Sequence, residues 1–294
     1  MTYEFLLLSV LFLLPGIAIW VARPDLRSLM KRAAVASLPF AATERLFYPT
    51  YWTPKFLFDL ADRFGFGVED LLFIVGLSAF SSTAYAVVFR RALVPCAAPG
   101  APRTRPGLRA ARTRPGLRAA AARTRPGLRA RTRPGLRART RPGLRAAAAR
   151  ARPGLRAAAR PWLRAAAGVA LALATAGALL AAGVPVLYAA VVAMIAVTAA
   201  LVGARRDLLV PGLLGALLSA ALYLGLCLVF AALVPGVFER TWRPSVLLPG
   251  RTLLGVPVDE ILYGLGAGLA ATVFPAWAFG LRYAKAPSAD RRAG

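Results

Sequence analysis

The sequence contains no histidine, and that absence removes whole chemistries at once. A Ser-His triad, a Cys-His pair and a His-ligated metal or haem are all excluded. Cysteine is nearly missing too. Cys96 and Cys227 are the only thiols, so there is neither a disulfide framework nor a Cys-rich metal site, and both read as incidental. Lysine is confined to Lys31, Lys55 and Lys285. None lies inside the last apolar span, which rules out a seven-helix retinal protein with its Schiff-base lysine. No G-x-x-x-x-G-K-[ST] loop occurs. The one Gly-rich run, Gly264-Leu265-Gly266-Ala267-Gly268, sits within an apolar segment and reads as close helix packing. Carboxylates, aromatics and arginines remain to carry chemistry, with no metal and no cofactor expected.

What is abundant is apolar surface and arginine. The 294 residues are 58% hydrophobic, yet the formal net charge is +26. The two are segregated. Residues 103–164 hold twenty arginines and no acid, and outside that block the balance is 18 basic to 12 acidic residues. The pI near 11.7 therefore describes one insert.

Seven apolar stretches are long enough, or nearly so, to cross a bilayer: roughly 3–21, 31–48, 68–89, 165–183, 185–203, 208–234 and 257–281. The first does not read as a cleavable signal. Its leading residues carry Glu4 and no base, and Arg23, Arg27, Lys31 and Arg32 follow it. The second contains Pro39 and ends at Glu44-Arg45. Alternate connections carry 32 and six basic residues, so the positive-inside rule predicts an outside N-terminus and a cytoplasmic C-terminus. The expected location is a bacterial-type inner (cell) membrane, crossed many times.

Two repeats are present. Arg-Thr-Arg-Pro-Gly-Leu-Arg-Ala recurs from Arg103, Arg112, Arg123, Arg131 and Arg139, with decayed copies from Arg150 and Arg160. Its Pro-Gly pairs break helices and its single leucine per unit buries no core, which predicts a disordered cytoplasmic insert. Such a tract attracts anionic lipid, but with no interleaved aromatics nucleic acid is not an expected partner. A slippage-type expansion in a tolerant loop is the favoured explanation.

The second repeat has an offset of 190. Trp52 meets Trp242, Pro54 meets Pro244, Gly65 meets Gly255, Val68 meets Val258, Leu72 meets Leu262, Phe73 meets Tyr263, Gly76 meets Gly266 and Phe89 meets Phe279. Glu69-Asp70 meets Asp259-Glu260. The prediction is an all-α integral membrane protein of about seven helices in a 3+1+3 parallel duplication. The predicted divisions are a first repeat (1–91), the arginine insert (92–164), a linking helix (165–183), a second repeat (184–285) and a tail (286–294).

The acid doublets open spans 3 and 7. One reading is helix capping, since acids in a first turn favour the dipole and Pro257 is a usual first-turn residue. The other is function, because acids at a membrane edge are expensive. From Glu260 one helical face carries Tyr263, Ala267, Ala270, Phe274 and Trp277, about 26 Å of apolar track at the helical rise. From Asp70 the matching face carries Phe73, Leu77 and Ala84. Carboxyl groups, aromatic rings and a long apolar track suit protonation of an alkene. A buried carboxyl supplies the proton, rings shield the cation at about 0.5–2 kcal/mol each, and a carboxylate removes a proton.

Two three-span units, each opening its last span on a hydrophobic-acid-acid motif, resemble the lycopene cyclase domain family of integral-membrane carotenoid cyclases. The clearest match is Val256-Pro257-Val258-Asp259-Glu260-Ile261-Leu262-Tyr263; Phe66-Gly67-Val68-Glu69-Asp70-Leu71-Leu72-Phe73 is looser. The resemblance implies a helical bundle that closes the linear end group of lycopene into a ring without redox chemistry. It places the acids on Glu69, Asp70, Asp259 and Glu260. Trp52, Phe73, Trp242, Tyr263, Phe274 and Trp277 would contact a lipophilic polyene. Where the family has paired phenylalanines and then an amide, this chain has Phe73-Ile74 and Tyr263-Gly264 with no amide following. A small-solute transporter of 3+1+3 type and a non-catalytic membrane scaffold remain as alternatives, and a homodimer is compatible with any of the three.

Overall fold

A computed structural model describes residues 3–96, 143–243, 248 and 250–286, the side chains of 143–158 excepted. The arginine repeats that begin at Arg103, Arg112, Arg123, Arg131 and Arg139, and the tail beyond 286, lie outside the described residues. In chain order the elements are α1 (Glu4–Ala22), α2 (Arg27–Ser37), α3 (Glu44–Phe47), α4 (Leu60–Phe64), α5 (Val68–Val88) and β1 (Arg91–Pro95). Then come α6 (Gly143–Ala181), α7 (Val186–Ala204), α8 (Leu209–Leu233), α9 (Val237–Thr241), β2 (Thr252–Leu253), β3 (Val256–Pro257), α10 (Val258–Ala278) and β4 (Leu281–Lys285). The chain divides into a body, Met1–Cys96 with Ala157–Gly294, and a second unit, Ala97–Arg156, of which only the first turns of α6 are described.

Among the described residues six helices are long and apolar enough to cross a membrane: α1, α5, α6 from Ala159, α7, α8 and α10. The stretch expected as a second span, 31–48, is not one helix. α2 runs to Ser37, a 3-10 segment occupies Leu38–Thr43 around Pro39, and α3 follows. Proline removes a backbone donor and breaks the α ladder, which accounts for the change of helix type. Regular structure also reaches into the residues assigned to the insert, as β1 on one side and as α6 from Gly143 on the other.

The 190-residue offset recurs in some of the elements. α5 and α10 have the same length and start 190 residues apart, whereas α1 and α7 match at an offset of 182. At that shorter offset lies a motif hidden from a gapless comparison, Arg-x-Asp-Leu, at Arg23–Leu26 and Arg205–Leu208. Arg23 pairs with Asp25 and donates to the Arg91 carbonyl; Arg205 pairs with Asp207 and donates to the Leu281 carbonyl. Each arginine thus ties the end of one helix to the strand leaving another.

The halves meet along a pseudo-dyad. At one end β1 pairs antiparallel with β4, and its central pair, Leu93 and Tyr283, is 190 apart. At the other end Trp52 and Trp242 form an isolated antiparallel bridge, with Thr53 N–H on the Thr241 carbonyl and Arg243 N–H on the Tyr51 carbonyl. Between them Phe5, Phe12, Phe80, Tyr223 and Phe230 fill the core. Small residues let the helices close up. A Cβ on Gly76 would lie 2.6 Å from the Phe12 carbonyl oxygen, and one on Gly268 would lie 2.3 Å from the Ser219 Cβ. Gly65 and Gly255 both adopt left-handed φ, at 81° and 85°, which explains their repetition.

Candidate active site

Both acid doublets open long helices, as capping alone would require, but their side chains do different things. In α5 the N-cap is Gly67, whose N–H donates to Asp70 Oδ2 at 2.7 Å. In α10 the residue at that position is Pro257, which has no N–H to give. Glu260 is thereby released from capping and reaches inward. Its Oε1 accepts Tyr51 Oη at 2.8 Å and Trp242 Nε1 at 2.8 Å, and its Oε2 accepts Tyr223 Oη at 2.5 Å. Three donors converge on one buried carboxylate, from the loop after α3, from the residue after α9 and from α8.

Glu69 and Asp259 are equivalent and lie behind this arrangement. Each accepts a backbone N–H from the preceding loop, Leu57 to Glu69 Oε1 at 2.6 Å and Leu248 to Asp259 Oδ2 at 2.9 Å. Asp259 gains a second donor, Tyr188 Oη at 2.8 Å. The residue matching Tyr188 in the first copy is Leu6, and Glu69 Oε2 is buried without a partner.

Asp70 and Glu260 line a chamber of about 60 Å³ together with Phe5, Phe73, Tyr223, Trp52, Trp242 and Tyr263. The two indoles pack across the pseudo-dyad, 5.0 Å between centroids and tilted by 47°. A third carboxylate enters the chamber, Glu44 at the start of α3, whose Oε1 accepts Trp52 Nε1 at 2.6 Å. Tyr51 lines the chamber beside Glu260. Burial first, then the Glu260 carboxylate, pushes its hydroxyl well above the ordinary tyrosine range, so it stays a proton donor.

A second, apolar cavity of about 250 Å³ adjoins the chamber; Phe40, Thr43, Phe47, Ile74 and Tyr263 line both. It runs between α6 and a wall made by α2, α5, α7 and α10, past Ala267, Ala270 and Phe274. α6 is the least buried of the six long helices, and its stand-off leaves this groove.

The face read from Glu260 is therefore largely a lining: Tyr263 touches both cavities, and Ala267, Ala270 and Phe274 the groove. Trp52, Phe73 and Trp242 line the chamber. Trp277 lines neither cavity and packs in a separate apolar cluster with Val197, Leu201 and Leu208. Glu69 and Asp259 likewise face loops and not the chamber. Sequence reading missed Glu44, Tyr51 and Tyr223. For Tyr223 a signal existed: an isolated tyrosine in an otherwise apolar α8, where a buried hydroxyl needs a partner.

No curated protein and no solved structure matches the chain. Residues 185–278, from just before α7 to the end of α10 and including Asp259, Glu260 and Tyr223, match the lycopene cyclase family model.

Proposed function

We propose that the protein cyclises the linear end group of lycopene or a related polyene, in a redox-neutral reaction begun by a proton. The observation that carries this reading is Glu260. It is a buried carboxylate inside the matched residues, held by three donors, in an aromatic chamber that opens beside an apolar groove. The groove takes the polyene chain and presents one end to the chamber. A carboxyl group adds a proton to the terminal alkene, and an internal alkene attacks the resulting cation to close the ring. A carboxylate then removes a neighbouring proton. Trp52, Trp242 and Tyr263 offer ring faces to the cation, about 0.5–2 kcal/mol each. Glu260, pre-organised by its donors, supplies the negative charge opposite.

In this reading Asp70 and Glu260 face the substrate, while Glu69 and Asp259 position the helix starts. The protein is multi-pass in the cell membrane, with the end bearing Arg23 and Arg205 in the cytoplasm and anionic lipid around the arginine tract. The test is expression in cells that accumulate lycopene, followed by pigment chromatography. The parent should yield cyclic carotenoid. Glu260→Gln, which keeps the shape and one acceptor oxygen but has no acid–base function, should abolish it at unchanged protein level. Cyclisation by Glu260→Gln at the parental rate would refute the role of this carboxylate.

A further inference from the structure

Glu44 belongs to neither acid doublet and lies outside residues 185–278. Nevertheless its carboxylate shares the chamber with Asp70 and Glu260. Among the described residues none of the three is in an ion pair. Three carboxylates around about 60 Å³ without a cation repel one another, and a resident proton relieves that repulsion.

Their hydrogen bonds indicate where the proton resides. Glu260 sits in the first turn of a 21-residue helix and accepts three donors, all of which favour its anion. Asp70 also sits in the first turn of a 21-residue helix and accepts the Gly67 N–H. Glu44 begins a helix of only four residues, too short for an appreciable dipole, and among the described residues its side chain accepts one neutral indole N–H. Of the three it is the carboxyl least supported as an anion.

The indoles supply the second observation. Trp52 and Trp242 pack against each other at a tilt of 47°, and each directs its N–H to a different carboxylate, Trp52 to Glu44 and Trp242 to Glu260. The two acids thus flank one aromatic platform.

We propose that Glu44 is the proton donor of the cyclisation and Glu260 the base, one on each side of the paired indoles; this rests on the polyene-cyclase reading above. Glu44 gives its O–H proton to the terminal alkene, whose π pair forms the new C–H bond. The π pair of the internal alkene forms the ring C–C bond. Glu260 takes a proton from the carbon beside the ring cation, and that C–H pair becomes the ring double bond. One proton enters and one leaves, so the product is an isomer of the substrate. The site resets when Glu260 releases its proton and Glu44 regains one.

The test uses full-length Glu44→Gln, Glu44→Asp and Glu260→Gln proteins in membranes. Glu44→Gln retains an acceptor for the Trp52 indole but has no acidic proton. Cyclic product from lycopene should fall at least about 100-fold, the usual weight of a general acid. Glu44→Asp, still an acid, should recover part of it. Infrared spectra report protonation without substrate. The C=O stretch of a protonated carboxyl group in the parent should vanish in Glu44→Gln and persist in Glu260→Gln, a change that a purely structural Glu44 would not produce. Ring formation by Glu44→Gln at the parental rate, or an unchanged carboxyl band, overturns the assignment while leaving the cyclase reading intact. A parent that forms no ring overturns the cyclase reading and this inference with it.

Discussion

The segments around the two acid doublets share a local backbone plan and differ in what their acids do. At one start, Gly67 offers an N–H and Asp70 turns back to accept it. At the other, Pro257 offers none, and Glu260 extends by one more methylene to three donors inside the bundle. A single backbone hydrogen thus separates a helix cap from a candidate catalytic group. Gly67 is itself constrained, since a Cβ there would lie 2.5 Å from Glu69 Oε2 and 2.8 Å from Phe56. The lesson is that equivalent positions in a duplicated fold inherit geometry but not role.

The largest test of this contrast is a pair of substitutions. Glu260→Gln is expected to lower cyclic product by at least about 100-fold, and Asp70→Asn by far less, because an asparagine oxygen still accepts the Gly67 N–H. Equal losses, measured by pigment chromatography at matched protein level, would erase the distinction between the copies.

Pro257→Gly should come next. It restores the missing N–H and frees the φ that proline fixes, so Glu260 gains a competing partner at its own helix start. Product should fall several-fold, and melting in detergent should drop by roughly 1 kcal/mol from the added backbone entropy. Unchanged turnover would mean that the proline does not direct Glu260.

The supporting acids differ in a subtler way. Asp259→Leu removes the acceptor of the Tyr188 hydroxyl and the Leu248 N–H, both part-buried, and should lower stability by about 1 kcal/mol. Leu6→Tyr is expected to raise stability by about 1 kcal/mol, by giving Glu69 Oε2 the donor that Tyr188 gives Asp259. Denaturant titration of both variants measures the two signs. A destabilised Leu6→Tyr would show that the copies are less alike here than their helices suggest.

The smallest effect is expected from the arginine tract. Removing residues 102–142 with a short flexible join should leave membrane insertion, stability and product yield unchanged, since the chamber and the groove are lined by residues of the body. Loss of product at normal expression would assign the tract a role.

Much of this arrangement was readable from the chain. The 190-residue offset located α5, α10, the Trp52–Trp242 pair and the two left-handed glycines, because those features need particular residue types at fixed places. It missed what precedes them. Between Pro24 and Trp52 the chain uses eight fewer residues than between Arg206 and Trp242. Part of that return path is 3-10 helix, which rises about 2.0 Å per residue against 1.5 Å for an α-helix, so fewer residues cover the distance. The shift hid the Arg-x-Asp-Leu motifs and the Leu6–Tyr188 equivalence. Glu44, Tyr51 and Tyr223 stayed hidden for another reason. They reach the chamber from elements that only tertiary packing brings to α10, and no local pattern marks them. Trp277 shows the opposite error, a residue on the expected helical face that packs elsewhere.

The β1–β4 pairing has a mechanical meaning. The chain leaves the body at Cys96, whose N–H is held by the Gly280 carbonyl, directly after a strand clamped along five residues. A pull or a change of length beyond that point meets the clamp before it meets α5. On that side the connecting tract can therefore gain or lose units without shifting α5 or α10, whereas its other end runs directly into α6, which walls the groove.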